Sequence, residues 1–164
     1  MGVQFNVKHG APIRFSLPVS TTDSLTTGTA WNKGRVFTLD ATGNAMLYSN
    51  NAKTATVGSV VGLGLEKRAQ STQVGPYTTL TVAGAPTGER TSLILDEAVV
   101  VNDELQSGVA FSPGQLLYTS LTGFVTTSGN GTGAGPGPII GAALSQANAG
   151  DPNRVLTMFF SVSY

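Results

Sequence analysis

The feature that most constrains the fold of this chain is an internal repeat. Residues 34–43 (GRVFTLDATG) match residues 114–123 (GQLLYTSLTG), with both glycines and the final Thr-Gly in register. Farther along, residues 60–65 (VVGLGL) match residues 139–144 (IIGAAL), and the spacing between these landmarks differs by one residue. Two copies of one supersecondary unit predict two similar modules that pack on each other.

Each copy is predicted to close on a β-rich segment, at residues 78–82 (TTLTV) in the first and 155–160 (VLTMFF) in the second. Coincidence is the competing explanation, because Gly, Thr and Val are abundant here and short matches among them are frequent. True duplication would place the residues that follow Gly34 and Gly114 in equivalent hairpins. At least one member of each of the pairs Val36/Leu116 and Phe37/Leu117 would then be buried.

Short apolar runs separated by Gly and Pro predict an all-β fold. Asp40-Ala41-Thr42-Gly43 is a turn signal, because glycine takes a positive φ without steric strain, and it predicts a hairpin. The β-branched run 99–101 favours a strand, with a helix over residues 96–106 as the alternative. We predict two tandem, similar antiparallel β units, each a small sandwich or barrel, with an extended N-terminal arm.

The predicted organisation has four parts. Residues 1–30 form an arm and linker, 31–88 the first β repeat, 89–109 the connecting strands and 110–164 the second β repeat. Residues 1–20 alternate between apolar and polar side chains, which is typical of extended chain or an edge strand. The Ser, Thr and Gly that follow are typical of a linker.

Composition excludes several functions. Only 11% of the residues are charged and the formal net charge is zero, so the clustered Lys and Arg that bind nucleic acid are missing. The absence of cysteine excludes disulfides and thiol catalysis. No apolar run approaches the roughly eighteen residues of a membrane span, and the N-terminus lacks the apolar core of a signal peptide. We therefore expect no nucleic acid, no membrane and no export by the general secretory route.

The sequence offers no catalytic constellation. His9 is the single histidine and lies in the arm, so neither a Ser-His triad nor a histidine metal site is expected. Gly62-Leu63-Gly64 is predicted to be strand, since the full phosphate-binding glycine motif is absent. The acidic pairs Asp96-Glu97 and Asp103-Glu104 are predicted to be solvated, with weak calcium coordination by Asn102, Asp103 and Glu104 as the alternative. We predict no enzyme, no cofactor and no metal.

The large aromatic residues and the small size of each copy predict association. Trp31, Tyr48, Tyr77 and Phe124 are expected in the core or at subunit contacts. A single copy of about fifty residues buries a marginal core, so the copies should pack on each other or on neighbouring subunits.

The second copy carries a recognisable succession of short motifs. Residues 113–118 (PGQLLY) are followed by Thr122-Gly123, by residues 140–144 (IGAAL) and by residues 149–151 (AGD), and the succession ends on an apolar strand. This pattern resembles small decoration (cement) proteins of tailed bacteriophage heads, and the resemblance extends to both copies. The chain differs from the shortest such proteins by carrying two copies, which leaves its oligomeric state and its site on the capsid lattice open.

The resemblance implies a structural virion protein, made in the host cytoplasm. It would bind the outside of the capsid as a homotrimer and bridge neighbouring major capsid proteins. The N-terminal arm of such proteins often reaches onto the shell. The residues expected to contact the capsid or another partner are therefore apolar and basic side chains of the arm, with the basic pair of the first repeat: Phe5, Val7, Ile13, Arg14, Phe15, Leu17, Lys67 and Arg68. A phage fibre or glycan-binding receptor module is the alternative, because it would share the surface rich in Ser, Thr and Gly.

Overall fold

The computed structural model describes residues 5–23, 26, 31–48, 62–67, 72–75, 78–81, 90–127 and 137–162. Within these ranges the chain is all-β, as predicted. The strands follow in the order β1 (Asn6–His9), β2 (Arg14–Pro18), β3 (Val36–Leu39), β4 (Ala45–Leu47), β5 (Gly62–Gly64), β6 (Thr72–Gly75), β7 (Thr78–Thr81), β8 (Arg90–Ile94), β9 (Ala98–Asn102), β10 (Leu116–Thr119), β11 (Val125–Thr127), β12 (Ile139–Ala143) and β13 (Leu156–Phe160). The alternative helix over residues 96–106 is wrong, because β9 occupies residues 98–102 of this stretch.

The described strands form three sheets. One sheet has six strands in the order β1-β9-β13-β12-β10-β11, and another has five in the order β2-β8-β5-β3-β4. The remaining pair, β6 and β7, forms a two-stranded sheet in the connection between β5 and β8. All of these strand pairs are antiparallel.

The two large sheets repeat one strand order, which confirms the duplication. The order β2-β8-β5-β3-β4 corresponds to β9-β13-β12-β10-β11, and β1 is an additional strand beside β9. Cross-strand partners also correspond: Val36–Leu63 with Leu116–Ala142, and Phe37–Gly62 with Leu117–Gly141. We call β2, β3, β4, β5 and β8 with their connections the first unit, and β9 to β13 the second unit.

The predicted closing strand of the first copy was wrong. The strand equivalent to β13 is β8, because β8 lies beside β5 as β13 lies beside β12. Residues 78–82 were predicted for this position, but β7 pairs with β6 instead. A strand here needs apolar side chains on both faces, and Leu93 and Ile94 of β8 are both buried. Residues 89–109 thus supply β8 to one sheet and β9 to the other.

The hairpin turns of the two units share one geometry. The Asp40 N–H donates to the Asn44 carbonyl and the Gly43 N–H donates to the Asp40 carbonyl. Ser120, Gly123 and Phe124 make the same two bonds in the second unit. Gly43 and Gly123 have φ of +83° and +77°, a region that glycine enters without strain. The turn predicted from the Thr-Gly pairs is therefore confirmed.

The Asp40 carboxylate organises the first turn. Its Oδ1 accepts hydrogen bonds from the backbone N–H groups of Thr42 and Asn44, both at 2.9 Å, and from the Thr42 hydroxyl at 2.7 Å. Partial burial would raise the pKa of Asp40, but hydrogen bonds from Thr42, Ser20 and the backbone together hold it below its ordinary value of 3.8. In the second unit the Ser120 hydroxyl accepts the equivalent backbone bonds at 3.3 and 3.0 Å.

We predict that Asp40→Ser removes one component of acid sensitivity. Because the folded pKa of Asp40 is depressed, its ionised form stabilises the protein above 3.8, and this contribution is lost as the pH falls through the folded pKa. Serine copies Ser120 and does not titrate. Urea unfolding from about pH 6 to about pH 3 should show the stability of wild type falling toward that of the variant. A difference in the free energy of unfolding between the two proteins that stays the same at every pH would contradict the prediction.

The first unit is buried on both faces of its sheet. On one face, a core cluster contains Val19, Trp31, Phe37, Ala45, Leu47 and Leu93. The Trp31 and Phe37 rings meet edge to face in it, with centroids 5.5 Å apart. On the other face, Val36, Leu63 and Ile94 join a larger cluster that includes Phe111, Leu117 and Met158 of the second unit. Val36, Phe37 and Leu117 are all fully buried, as the duplication predicted.

The N-terminal arm consists of edge strands. β1 lies at the edge of the six-stranded sheet beside β9, and β2 lies at the edge of the five-stranded sheet beside β8. Val19, which follows β2, is buried and forms a bridge with Ala45, as Leu105 does with Val125 in the second unit. The end of the arm therefore belongs to the repeated unit.

Candidate interaction surface

The predicted contact residues on β2 lie at an exposed apolar edge. Ile13 and Phe15 are 61% and 51% exposed, whereas Leu17 is half-buried against the core of the first unit. Phe15 pairs with Leu93, so the two side chains share the face that carries this core. Arg14 is exposed and pairs with Ile94 on the opposite face. We call Ile13 and Phe15 with the β2 backbone the β2 rim.

The other predicted contact residues do not join the β2 rim. Phe5 and Val7 are half-buried and pack against the larger core cluster beside β9. Lys67 is exposed beyond the end of β5, and Arg68 lies outside the described residues. The seven of these residues that the structure describes are thus divided between the edges of two sheets and a loop.

The β2 rim also presents backbone hydrogen-bonding groups. Among the described residues, β2 itself pairs with β8 only; on its second edge, the next residue, Val19, bridges Ala45 of β4, and Arg14–Pro18 has no strand beside it. The Arg90 side chain donates to the Ser16 carbonyl at 2.7 Å and to the Ser16 hydroxyl at 3.2 Å. Such an edge can accept a strand from another protein if that strand displaces the Arg90 side chain from Ser16, and Ile13 and Phe15 would then bury apolar surface.

A second exposed apolar surface lies on the outer face of the six-stranded sheet. Leu116, Ile139 and Leu144 are 49%, 48% and 50% exposed. Leu116 pairs with Ala142, and Ala142 pairs with Phe159, so these three form one row across the sheet. We call this surface the outer face of the second unit. The sequence marks its residues only as apolar, and the topology determines that they face outward.

The contact between the two units contains a buried ion pair, Arg35 with Glu104, that was not predicted from the sequence. The Arg35 Nε donates to the Glu104 carboxylate, and Asn32 donates to its other oxygen at 2.8 Å. Arg35 also donates to the Thr122 carbonyl at 2.7 Å, and its guanidinium lies 3.4 Å from the centre of the Phe124 ring. Both charged side chains are buried. The prediction that Glu104 is solvated is wrong, because it faces an arginine from the other unit.

The alternative of a calcium site at Asn102, Asp103 and Glu104 is not favoured, because side-chain oxygens of Asn102 and Glu104 already accept hydrogen bonds. Both carboxylate oxygens of Glu104 accept hydrogen bonds, and Asn102 Oδ1 accepts the Glu104 N–H at 3.0 Å. Asn102 Nδ2 donates to the Gly34 carbonyl, again across the two units, at 3.0 Å. No group of three or more His, Cys, Asp or Glu side chains suited to a metal occurs in the described ranges. The sequence contained one sign of this contact. At the repeat position where the second copy has the neutral Gln115, the first copy has the charged Arg35.

A second cationic side chain, Arg154, is used to hold a loop. It donates to the carbonyls of Gln106 and Val109, and to that of Leu105 at 3.3 Å. Burial lowers the pKa of Arg154, and the nearby charge of Asp151 opposes this shift. The groove beside it is lined by Asp103 and Asp151 together with small and apolar residues such as Ala149 and Pro152. Because the guanidinium is bonded to backbone carbonyls, we assign Arg154 a structural role.

The aromatic predictions are confirmed for Trp31 and Tyr48. Trp31 and Tyr48 are both 2% exposed and belong to core clusters. Burial raises the pKa of the Tyr48 phenol. Phe124 covers the Arg35 guanidinium at the contact between the units. Tyr77 lies outside the described residues.

A scan against known protein families, a search of curated proteins and a search of solved structures found no match. In the described part of the chain, no helix is long and apolar enough to cross a membrane.

Proposed function

We propose that this protein is a capsid decoration (cement) protein of a tailed bacteriophage. It binds the outside of the capsid and stabilises contacts between neighbouring major capsid proteins. The observation that carries the proposal is the β2 rim, where Arg14–Pro18 has a strand on one side only and two apolar side chains, Ile13 and Phe15, are exposed. The resemblance of residues 113–118, 140–144 and 149–151 to motifs of decoration proteins, together with the all-β fold, supports the same proposal.

The mechanism requires buried area and no chemistry. A shell under internal pressure fails at gaps between capsomers, and a clamp that buries surface on both sides of a gap resists opening. A strand of the major capsid protein added beside β2 would supply backbone hydrogen bonds, and Ile13 and Phe15 would supply apolar contact. Homotrimers at three-fold positions of the lattice are part of this proposal.

We predict that Phe15→Asp weakens capsid attachment at least tenfold, about 1.4 kcal/mol. The reason is that a charge replaces apolar area on the β2 rim, while the half-exposed position leaves the fold intact. Co-sedimentation with capsids that lack the protein measures the change. Phe15→Leu is the matched control and should keep most of the affinity. Unchanged binding of Phe15→Asp would contradict the assignment of this surface.

We also predict that attachment varies little with salt. Nine acidic and nine basic residues give a formal net charge of zero, so no overall charge attracts the protein to the capsid. The Debye length falls from about 30 Å at 0.01 M to about 3 Å at 1 M salt, so an interface built on ion pairs would weaken strongly across this range. A tenfold loss would point to Lys8, Arg14 or the Lys67-Arg68 pair meeting acidic capsid groups. Arg35 is excluded from that role, because it is buried against Glu104.

One experiment separates this proposal from a fibre or receptor-binding module. Antibody labelling of virions in the electron microscope should mark the heads. Labelling of tail fibres, together with glycan affinity of the isolated protein and no capsid binding, would replace the proposed function.

A further inference from the structure

The first unit is docked onto the hairpin turn of the second unit. The Val36 N–H donates to the Gly123 carbonyl at 2.8 Å, and Arg35 donates to the Thr122 carbonyl. The approach is close, since a Cβ added at Gly123 would lie 3.0 Å from the Val36 oxygen. The turn over residues 120–124 therefore contacts the start of β3 through backbone atoms.

With the second unit in place, the outer face of the first unit is closed. Val36, Leu63 and Ile94 form one cross-strand row on β3, β5 and β8, and each has 0% exposure. All three belong to the core cluster shared with the second unit. This face of the repeat is thus built to be covered.

The equivalent face of the second unit is open. The repeat places Leu116, Ala142 and Phe159 at the positions of Val36, Leu63 and Ile94. Leu116 is 49% exposed, and Ala142 and Phe159 are only half-buried. Leu144 and Ile139 extend the same surface with about half of each side chain exposed. Contiguous exposed apolar surface of this kind marks an interaction site.

The first unit has the matching turn, and that turn is also open. Residues 40–44 make the same backbone hydrogen bonds as residues 120–124. Ala41, Thr42 and Gly43 are exposed, and a Cβ added at Gly43 would meet no atom within 4 Å. Each chain therefore has one exposed turn, residues 40–44, and one uncovered face, on the second unit. The contact between the residue 120–124 turn and the first unit shows how such a turn docks on such a face.

We propose that the protein self-associates head to tail, with the residue 40–44 turn of one copy bound on the outer face of the second unit of another. This inference does not depend on the proposed function. The contact is heterologous, since two different surfaces meet, and it forms a ring when the rotation between copies closes. In a ring of three chains, six units would each cover the face of a neighbour.

The contact between copies is weaker than the contact within the chain. Gln115 replaces Arg35, and Asn44 replaces Phe124 on the turn. The bridges Val19–Ala45 and Leu105–Val125 place Pro18 at the position of Glu104. The interface between copies therefore lacks the buried ion pair and rests on apolar and backbone contacts. Association should accordingly depend on protein concentration.

Sedimentation equilibrium of the full chain tests the interface. We expect Leu116→Asp to raise the dissociation constant at least about tenfold, because it places a charge in the apolar face. Gly43→Asn should also raise the dissociation constant, because it adds a side chain to the turn that docks on this face. Asparagine tolerates the positive φ of the turn. Phe15→Asp is the matched control, since Phe15 is 51% exposed but lies on the other sheet, and it should leave association unchanged. Circular dichroism reports whether each variant folds.

Cysteine cross-linking tests whether the residue 40–44 turn of one copy lies on the second unit of another. The natural chain has no cysteine, so two single variants, Thr42→Cys and Gln115→Cys, carry one thiol each. Thr42 and Gln115 correspond to Thr122 and Arg35. Within the chain, the Arg35 guanidinium donates to the Thr122 carbonyl, and the backbones of the next residues meet where the Val36 N–H donates to the Gly123 carbonyl at 2.8 Å. Mixed and oxidised, the variants should form the disulfide between Thr42→Cys and Gln115→Cys chains in preference to either homodimer.

Three results would overturn the proposal. These are a wild-type monomer at about 100 μM, where even weak specific contacts are populated, association that survives both Leu116→Asp and Gly43→Asn, and predominant disulfides between two Thr42→Cys chains. If Leu116→Asp fails to fold, Gly43→Asn and the cysteine pair decide the outcome.

Discussion

Glu104→Gln is expected to lower the free energy of unfolding by about 3–5 kcal/mol, the range for removing one partner of a buried ion pair. Glutamine has the same shape, so the Asn32 hydrogen bond can persist. The Arg35 guanidinium, however, then lies buried against a neutral amide. The loss falls on the contact between the two units, because Arg35 comes from one and Glu104 from the other.

Urea unfolding compares this variant with Glu97→Gln, the same substitution at an exposed glutamate. The control should change stability by no more than about 0.5 kcal/mol. The double variant Arg35→Met/Glu104→Leu should lie closer to wild type than Glu104→Gln, since it buries no unpaired charge. A loss from Glu104→Gln as small as that of the control would mean that water or another group compensates the arginine.

The other large effect is expected at Gly141, which faces Phe159 and Phe160 across the β12–β13 pair. An added Cβ would lie 1.8 Å from the Phe159 carbonyl oxygen, a backbone atom that cannot rotate away. The φ of +148° is also unfavourable for any other residue. Overpacking contributes about 1–3 kcal/mol and backbone strain a similar amount, so Gly141→Ala should cost about 3 kcal/mol or more.

Gly150→Ala is the matched control, since a Cβ there meets no atom within 4 Å. Its stability should remain within about 0.5 kcal/mol of wild type. Thermal unfolding of both variants separates a packing effect at Gly141 from a general loss of glycine flexibility. Equal midpoint temperatures of unfolding for the two variants would show that β12 and β13 can move apart to fit the added Cβ without loss of stability.

Local chemistry allowed the sequence to predict the repeat, the strands and the turns. Gly43 and Gly123 follow threonine at the same place in each copy, and a hairpin turn requires a positive φ there whatever surrounds it. The alternation around Phe15 indicated an edge strand for the same reason, since strand periodicity is a property of a few neighbouring residues. These features depend on short stretches of chain and were predicted correctly.

Part of the candidate site could also be predicted. Ile13 and Phe15 were predicted as contact residues, and the structure shows that both side chains are exposed at an edge strand, while the contact itself stays a prediction. Leu17, Phe5 and Val7 have the same apolar character and the same alternation, but they pack against core clusters. Sequence alone does not separate these cases, because exposure depends on which elements lie opposite each strand.

Tertiary structure alone decided which equivalent residues are buried and which are exposed. Val36 and Leu116 occupy one position of the repeat, yet the first is covered by the second unit and the second faces outward. Glu104 follows Asp103 in a run predicted to be solvated, but it meets Arg35 sixty-nine positions away. Burial of this kind is set by contacts between distant segments, and a pattern read along one segment does not contain them.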